Sequence, residues 1–394
     1  MKRTSCSACG CDQLDTFLDL GLSPIADAYT ATPDEPVERF PLEVAVCAKC
    51  KLVQLLEVVP ADVLFGSGYS FYSSASAPLS AYHKDYADDV FAAHGDLLRR
   101  RGVLEVGCND GDLLRHFAGF RHLGVDPSTG PAAAAAERGC DVLAEPFTMA
   151  TAERIRDDRG PAGVVIANHV LAHVEDVSDC LAGIAHLMDD ESVAIIEVQY
   201  LPDLLVNNAF DLVYHEHRNF FSLTSLDGAA SRHGLHVADA VLTDRQGGSL
   251  RVKLKKGVSL RVPRAEAVAK SELWLNDFSA YDGMQGRAER VRWRLTQLVN
   301  EQPGEVVVYG AAAKTTTLLN FCQLAQGNLA YCVDSTEAKQ GRYIPGTDIQ
   351  IRASAITQPD TTFLLGAWNY VRPIMRANPG QRWILPFPAP MLIG

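Results

Sequence analysis

The densest group of versatile side chains in this chain is the run Tyr214-His-Glu-His217. Phenol, carboxyl and imidazole groups at one place favour general acid–base chemistry, because imidazoles exchange protons near neutral pH. As metal ligands, these residues lack the i, i+4 helical spacing of a catalytic zinc site. In an extended strand Tyr214 and Glu216 would share a face while His217 points away, so a joint site requires a turn. The alternative is a buried loop in which the rings are hydrogen-bonded for structural reasons.

A second informative stretch is Val103–Asp112, where a short apolar run enters the turn E-x-G-x-N-x-G. Its glycines let the backbone approach a ligand, and a helix from about Asp112 is expected to offer unpaired N–H groups. The turn differs from the dinucleotide and triphosphate signatures. An acid at Glu105 would repel a pyrophosphate and attract the amino and sulfonium groups of S-adenosylmethionine. The stretch therefore predicts an S-adenosylmethionine cradle, against the alternative of an ordinary turn with a solvated glutamate. The candidate cofactor residues in it are Glu105, Gly107, Asn109 and Gly111.

Two later strand ends extend this cradle. Asp126 closes the run Leu123-Gly-Val-Asp126, where a carboxylate can accept both ribose hydroxyls of an adenosine. Asn168 ends the run Gly163–Ala167 and is expected to contact the amino-acid part of the cofactor. His173 follows and is a candidate to face a substrate, unless it is a packed histidine in the first turn of a helix.

Four cysteines form two C-x-x-C pairs, Cys6–Cys9 and Cys47–Cys50. Each pair offers two thiolates at the separation that a tetrahedral Zn²⁺ requires, and four thiolates leave no open position. The spacing predicts a structural zinc site rather than a catalytic one. Cys11 has the wrong spacing for such a pair and is expected to be a free thiol. A DNA-binding zinc ribbon is the competing interpretation, but the flanking basic clusters that it needs are missing.

Cations in the last third of the chain suggest a second binding site. Lys314 follows a small-residue turn and could hold a phosphate, while Lys339, Arg342 and Tyr343 would suit a pyrophosphate and a stacked base. The alternative is that these side chains are only solvated.

Apolar runs alternate with helical patterns over much of the chain, which predicts an α/β fold. We expect a zinc-binding domain at 1–75 and, at 76–260, a Rossmann-like domain that carries the S-adenosylmethionine cradle, as in class I methyltransferases. A helical bridge should follow at 261–302, and a second Rossmann-like domain at 303–394. The runs Leu235–Leu242 and Ser249–Lys255 are separated by too short a loop for a parallel crossover, so they should be antiparallel.

The charge and hydropathy of the sequence narrow the classes of molecule that the protein is expected to bind. A net charge of −12 without a basic stripe argues against nucleic-acid binding. No segment is apolar over the length of a membrane span, and the start of the chain has no apolar signal region, so a cytoplasmic protein is expected. The oligomeric state stays open, with a monomer as the default.

Taken together, these motifs resemble the sugar C-methyltransferases of antibiotic deoxysugar pathways, which act on dTDP-linked 4-keto sugars. The resemblance spans nearly the whole chain and rests on seven blocks in order. They are the cysteine pairs with Leu20-Gly-Leu-Ser-Pro24, Glu105–Gly111, Asn168–His173, Tyr214–His217, Gly247–Arg251, Tyr309–Lys314 and Lys339–Gly346.

The resemblance implies that His217 removes the proton from C3 of the sugar, with Tyr214, Glu216 and His173 lining the reacting centre. Tyr214 would donate to the enolate oxygen and Glu216 would orient the imidazole. A tyrosine of the aromatic loop would contact the sugar. In this chain that residue is Tyr69 or Tyr72, because the usual Tyr-Phe-Ser-Ser is replaced by Phe71-Tyr-Ser-Ser74.

Two other functions fit the residues. One is methyl transfer from S-adenosylmethionine to oxygen or nitrogen of another natural-product precursor. The other is a zinc-ribbon scaffold that binds a nucleotide without turnover.

Overall fold

The computed structural model describes residues 1–65, 72–244, 247–257, 260–324, 327, 329–355 and 360–394. Within them the chain forms three β-sheets flanked by helices. This is the predicted α/β architecture, with a small N-terminal sheet, a central sheet and a C-terminal sheet.

The N-terminal sheet is antiparallel and has the order β1-β2-β3-β9. Its strands are β1 (Leu14–Pro24), β2 (Arg39–Cys47), β3 (Val53–Leu55) and β9 (Asn219–Phe220). Strand β9 comes from far along the chain: Val53 pairs with Phe220 and Gln54 with Asn219. The N-terminal sheet therefore includes the residues that follow directly after His217.

The central sheet has seven strands in the order β10-β11-β8-β7-β4-β5-β6. They are β4 (Val103–Val106), β5 (His122–Val125), β6 (Val142–Leu143), β7 (Val164–Asn168), β8 (Val193–Gln199), β10 (Leu235–Thr243) and β11 (Ser249–Lys256). Strand β11 is antiparallel to both neighbours, as predicted for the last two runs. The other strands are parallel, so their carboxyl ends meet at one edge.

Helices cover both faces of this sheet and link it to the rest of the chain. They are α1 (Ala61–Phe65), α2 (Ala77–Arg101), α3 (Thr129–Glu137), α4 (Met149–Arg159), α5 (Val177–Leu187), α6 (Leu201–Val206), α7 (Leu223–Ser231), α8 (Pro263–Ser271) and α9 (Met284–Asn300). None of the helices within the described ranges is long and apolar enough to cross a bilayer.

The predicted helix from about Asp112 is wrong. The chain forms only a short 3₁₀ helix at Leu114–Phe117. Gly111 has φ +73°, and the Asp112 carboxylate accepts hydrogen bonds from Ser80 of α2 at 2.8 Å. These contacts turn the chain towards α2 before a regular helix can begin.

The C-terminal sheet has the order β14-β13-β12-β15-β16-β17. Its elements are β12 (Val306–Tyr309), α10 (Ala313–Cys322), β13 (Cys332–Val333), β14 (Ile351–Arg352), β15 (Thr362–Leu365), α11 (Val371–Ala377), β16 (Arg382–Leu385) and β17 (Met391–Ile393). Only β17 is antiparallel to its neighbour. One apolar core joins this domain to the N-terminal sheet through side chains such as Leu42, Leu205, Leu295 and Leu318.

The two larger sheets repeat one local arrangement. In the central sheet Asp126 accepts hydrogen bonds from the backbone N–H groups of Asn109 and Ser128, both at 2.8 Å. In the C-terminal sheet Asp334 accepts from Ala311 and Thr336, again at 2.8 Å. The predicted likeness of the two halves therefore extends to individual hydrogen bonds.

Candidate active site

Residues Tyr214–His217 form the turn that a joint site requires. The His217 N–H donates to the Tyr214 carbonyl at 2.9 Å, which brings the two side chains to the same side. The Tyr214 hydroxyl lies 2.7 Å from His217 Nε2, and the ring centroids are 3.9 Å apart. His217 is only 6% exposed. The turn thus builds a buried phenol–imidazole pair.

The backbone sets the tautomer of His217. Its Nδ1 lies 2.9 Å from the Leu212 carbonyl oxygen, which can only accept, so Nδ1 carries the proton. Nε2 then presents its lone pair, and the Tyr214 hydroxyl donates to it. Burial lowers the pKa of His217 well below its usual range, and the nearby charges of His173 and Lys314 contribute. The imidazole is therefore neutral, which is the form that accepts a proton.

His173 and Glu216 flank this pair in different ways. The His173 ring lies 5.1 Å from the His217 ring, and its Nδ1 donates to the Glu216 backbone oxygen at 2.6 Å. It lies in a turn before α5 rather than inside a helix. The Glu216 carboxyl is buried, and neither of its oxygens has a hydrogen-bond partner among the described residues. The Leu212 carbonyl, and not the expected Glu216 carboxylate, orients the His217 ring.

Burial raises the pKa of Glu216 to about 8, and the negative charge of Asp27 adds to this effect. The group is thus a neutral carboxylic acid near pH 7. A protonated, unpartnered carboxyl can donate one hydrogen bond and accept another, which suits a polar ligand.

Two other domains hold the Tyr214–His217 turn. On one side, β9 pairs with β3, and the Leu55 N–H donates to the Arg218 carbonyl at 2.9 Å. On the other side, the Thr317 hydroxyl of α10 donates to the Val213 carbonyl at 3.1 Å. The turn is therefore clamped between the N-terminal sheet and the C-terminal domain.

Lys314 lies one helical turn before Thr317 and is 8% exposed. Its amine donates to the Asn369 side-chain oxygen and lies 5.2 Å from the Trp368 ring. Trp368 in turn donates to the buried Asp211 carboxylate at 2.6 Å. Burial lowers the pKa of Lys314 to about 8, while the charge of Asp211 opposes this shift. The lysine that was expected to hold a phosphate thus sits inside the junction near the Tyr214–His217 turn.

The cofactor cradle lies at the carboxyl ends of β4, β7 and β8. Three buried or half-buried polar atoms there have no hydrogen-bond partner among the described residues: Glu105 Oε2, Asn168 Nδ2 and Gln199 Oε1. Burial raises the pKa of Glu105 well above its usual range, and the charges of Asp126, Asp112 and Asp110 add to it. Buried polar atoms left without partners on adjacent strands fit a polar, cationic ligand such as S-adenosylmethionine.

The turn between β4 and the 3₁₀ helix has little room for larger residues. Gly107 has φ +68°, and a Cβ added there would lie 2.3 Å from Val170 Cγ2. Gly111 has φ +73°, and its Cβ would lie 2.9 Å from Cys140 Sγ. Asn109 has φ +48° and accepts a hydrogen bond from the Ser73 N–H at 2.9 Å. The glycines therefore allow both the turn and its close packing.

Tyr72, one of the two tyrosines expected to contact the sugar, lies near the cofactor cradle. A Cβ added to Gly130 would lie 2.9 Å from the Tyr72 hydroxyl, so this ring sits over the start of α3, beyond Asp126. That is the ribose side of the cradle. Tyr69 lies outside the described residues.

The other predicted cations lie where the C-terminal domain meets the N-terminal domain. The Lys339 amine donates to the Ala311 carbonyl at 2.8 Å and lies 5.0 Å from the Tyr29 ring. Tyr343 exchanges backbone hydrogen bonds with Thr30, and the Arg342 side chain is exposed. These three residues form one group, whereas Lys314 contacts Asn369 and Trp368.

The two cysteine pairs converge. Cys6 Sγ lies 3.5 Å from Cys50 Sγ, Cys9 Sγ lies 3.5 Å from Cys47 Sγ, and all four sulfurs lie within 4.8 Å of one another. Sulfurs around a tetrahedral zinc with bonds of about 2.3 Å lie about 3.8 Å apart, so the four thiolates fit the ion. Cys11 lies outside this cluster, as expected.

Several site residues have no signal in the sequence. Trp368 and Asn369 contact Lys314, Asp211 accepts from Trp368, and Gln199 lines the cradle, yet none belongs to a motif. From the N-terminal domain, Asp27 lies near Glu216, and the Tyr29 hydroxyl donates to the Ala311 carbonyl. For Trp368 the one usable hint is its place just after β15, where ligands gather in parallel sheets.

The strand order of the central sheet, its open polar cradle and the four-thiolate cluster define a class of protein. This is an S-adenosylmethionine-dependent methyltransferase that carries a structural zinc ion. The sequence comparisons match three domains of such an enzyme. A zinc binding domain model matches residues 6–65, a methyltransferase domain model matches 80–240, and a C-methyltransferase C-terminal domain model matches 244–388.

The chain is 33% identical to C-methyltransferase NovU of Streptomyces niveus over 411 aligned positions, covering 98% of this chain and 96% of the relative. It belongs to this family of C-methyltransferases. Among solved structures, magnesium protoporphyrin IX methyltransferase from Synechocystis is 16% identical and covers 50% of this chain and 89% of its own, with a TM-score of 0.35. A methyltransferase from Clostridium acetobutylicum is 12% identical and covers 45% and 92%, with a TM-score of 0.37.

Membership in the family confirms the predicted resemblance and sets aside two alternatives. The acceptor atom is carbon rather than oxygen or nitrogen, and the protein is an enzyme rather than a scaffold. S-adenosylmethionine is the methyl donor, and zinc is structural.

Proposed function

We propose that this enzyme methylates C3 of a dTDP-linked 4-keto-deoxysugar, with His217 as the base. The observation that carries the proposal is the fixed tautomer of His217, which presents a neutral Nε2 lone pair inside a buried junction. A carbon next to a carbonyl is a weak acid, so its methylation needs such a base close by.

The chemistry divides between the chain and its cofactor. When bound, S-adenosylmethionine supplies an activated methyl group. The residues of the chain take the C3 proton onto His217 Nε2, hold the sugar and keep water out. Tyr214, Glu216 and His173 line this centre, and positioning provides much of the rate.

The proposed binding residues follow from the same geometry. Glu105, Gly107, Asn109, Gly111, Asp126 and Asn168 would hold the cofactor. Lys339, Arg342 and Tyr343 would hold the nucleotide, since their group lies open between the N-terminal and C-terminal domains. The division of the chain at 75, 260 and 302 stays a proposal.

The test is mass spectrometry of product formed in D₂O from S-adenosylmethionine and a dTDP-4-keto-deoxysugar. Wild type should add a methyl group and, with S-adenosylhomocysteine in place of the donor, exchange C3–H for deuterium. His217→Asn should lose both signals while its affinity for S-adenosylmethionine stays within about threefold, a difference of about 0.7 kcal/mol. Neither signal from wild type with any keto sugar tested would refute the proposed substrate.

A further inference from the structure

We infer that the Lys314 ammonium group is the donor that stabilises the C4 enolate oxygen during deprotonation. This inference rests on the proposed function. When the C3–H bond breaks, its proton goes to His217 Nε2 and its electron pair moves into the C3–C4 bond, leaving the negative charge on the C4 oxygen. That oxygen needs a hydrogen-bond donor or a cation near the base.

Tyr214 is poorly placed for this task. Its hydroxyl donates to His217 Nε2, 2.7 Å away, because Nδ1 of that ring holds the other proton. A phenol has one proton, so this hydroxyl must leave Nε2 before the base can accept the C3 proton, and only then could it donate to the enolate oxygen. A donor on another element, which makes no hydrogen bond to the base, can hold that oxygen before the pair separates.

Helix α10, which carries Lys314, is hydrogen-bonded to the backbone segment that also fixes the His217 ring. The Leu212 carbonyl fixes the His217 ring, and the Val213 carbonyl accepts from Thr317, one turn after Lys314 on α10. Asp211, the residue before Leu212, contacts the Trp368 ring over which the Lys314 amine lies. The lysine charge also acts on the His217 imidazole. The cation and the base are therefore both anchored to the segment Asp211–Val213.

The hydrogen bonds of Lys314 point to a missing ligand. An ammonium group has three donors, and among the described residues this one has a single acceptor, the Asn369 amide oxygen. Asp211 balances its charge from farther away, and Asp211 Oδ1 is also without a partner. Burying a cation without a contacting anion costs free energy unless a ligand supplies the missing interactions.

The decisive experiment compares Lys314→Met with Lys339→Met, the other lysine of this domain. Removing the donor to the enolate should lower kcat and the C3–H exchange rate by about 10²–10³-fold, with little change in KM for the sugar nucleotide. Lys339→Met should instead raise KM. If Lys314→Met raises KM and keeps the exchange rate, Lys314 binds phosphate and the inference is wrong.

The wild type provides a second test that does not depend on folding of the variant. Since burial lowers the pKa of Lys314 to about 8, the exchange rate should fall above about pH 8 as the ammonium loses its proton. Lys314→Arg should move this fall to higher pH, because arginine stays charged. Glu216 also titrates near pH 8, so Glu216→Gln should keep the fall if Lys314 causes it. A flat wild-type profile up to pH 9.5 would refute the inference, whereas absence of exchange from wild type at every pH would refute the proposed substrate instead.

Discussion

The imidazole of His217 can act as a base because its surroundings keep it neutral. Burial is the largest cause, and the positive charge of Lys314 acts in the same direction. The pKa of His173 is itself lowered by burial, to about 4. Both rings are therefore neutral at the pH where a free histidine begins to gain a proton.

This environment predicts the acid limb of the pH–rate profile. A base with its pKa at the ordinary histidine value would lose activity between pH 7 and 6, but this one should stay active there. We expect kcat/KM to be level from pH 7.5 to 6 and to fall only below it. Initial rates in buffers of constant ionic strength measure this, and a midpoint near 6.5 would show that His217 is not desolvated as described.

The environment of Glu105 predicts that a proton is released when the cofactor binds. Burial and three nearby aspartates raise the pKa of the free carboxyl and so favour its protonated form, whereas a cationic ligand would favour its ionised form. Calorimetry in buffers of different ionisation enthalpy should therefore detect proton release, with affinity falling as the pH falls. Glu105→Gln should abolish the release and weaken binding by about tenfold, or about 1.4 kcal/mol. Equal heats in all buffers would contradict this.

At the scale of elements, the cradle depends on how closely the turn after β4 approaches the loop after β7. Gly107 makes this approach possible, since its positive φ and its contact with Val170 both exclude a side chain. Val170 follows Asn168 in that loop, so a shift there would move both sides of the cradle.

Gly107→Ala should therefore damage cofactor binding as well as stability. A matched control is Gly139→Ala, where φ is +84° but nothing lies within 4 Å of the added Cβ. The control should lose about 1–2 kcal/mol from backbone strain alone and bind the cofactor normally. Gly107→Ala should lose more stability and bind at least about tenfold more weakly. Thermal unfolding and calorimetry separate the two effects, and equal losses in both variants would show that steric contact is unimportant.

The elements were predictable where short-range chemistry decides them. Paired cysteines, the strand–turn–strand pattern around Glu105 and the need for a turn at Tyr214–His217 could all be read from spacing. The helix after Gly111 could not, because Asp112 binds Ser80 across the fold. The partners of Lys314 were equally hidden, since Trp368 meets Asp211 across 157 positions of sequence.

At the scale of the whole molecule, the active site belongs to no single domain. The proposed base, His217, lies on a turn after helix α6, one neighbouring strand pair comes from the N-terminal sheet, and Lys314 comes from the C-terminal domain. An apolar core shared by the N-terminal and C-terminal parts of the chain holds these elements in place relative to one another.

Zinc removal should therefore separate cofactor binding from catalysis. Without the ion the cysteine loops lose their anchor, and β3 is no longer held firmly against β9. We expect chelation to lower methylation at least about tenfold, while affinity for S-adenosylmethionine, measured by calorimetry, changes by less than about threefold. Added zinc should restore activity, and Cys11→Ser should behave like wild type. A parallel loss of cofactor affinity would mean that chelation unfolds the central domain too.

The pairing of β3 with β9 gives the ion an influence far beyond its own ligands. The four cysteines lie in the N-terminal domain, yet cells grown with little zinc should accumulate unmethylated substrate before the polypeptide itself disappears. Nutrient supply would then set the ratio of methylated to unmethylated compound, through two pairs of residues on adjacent strands.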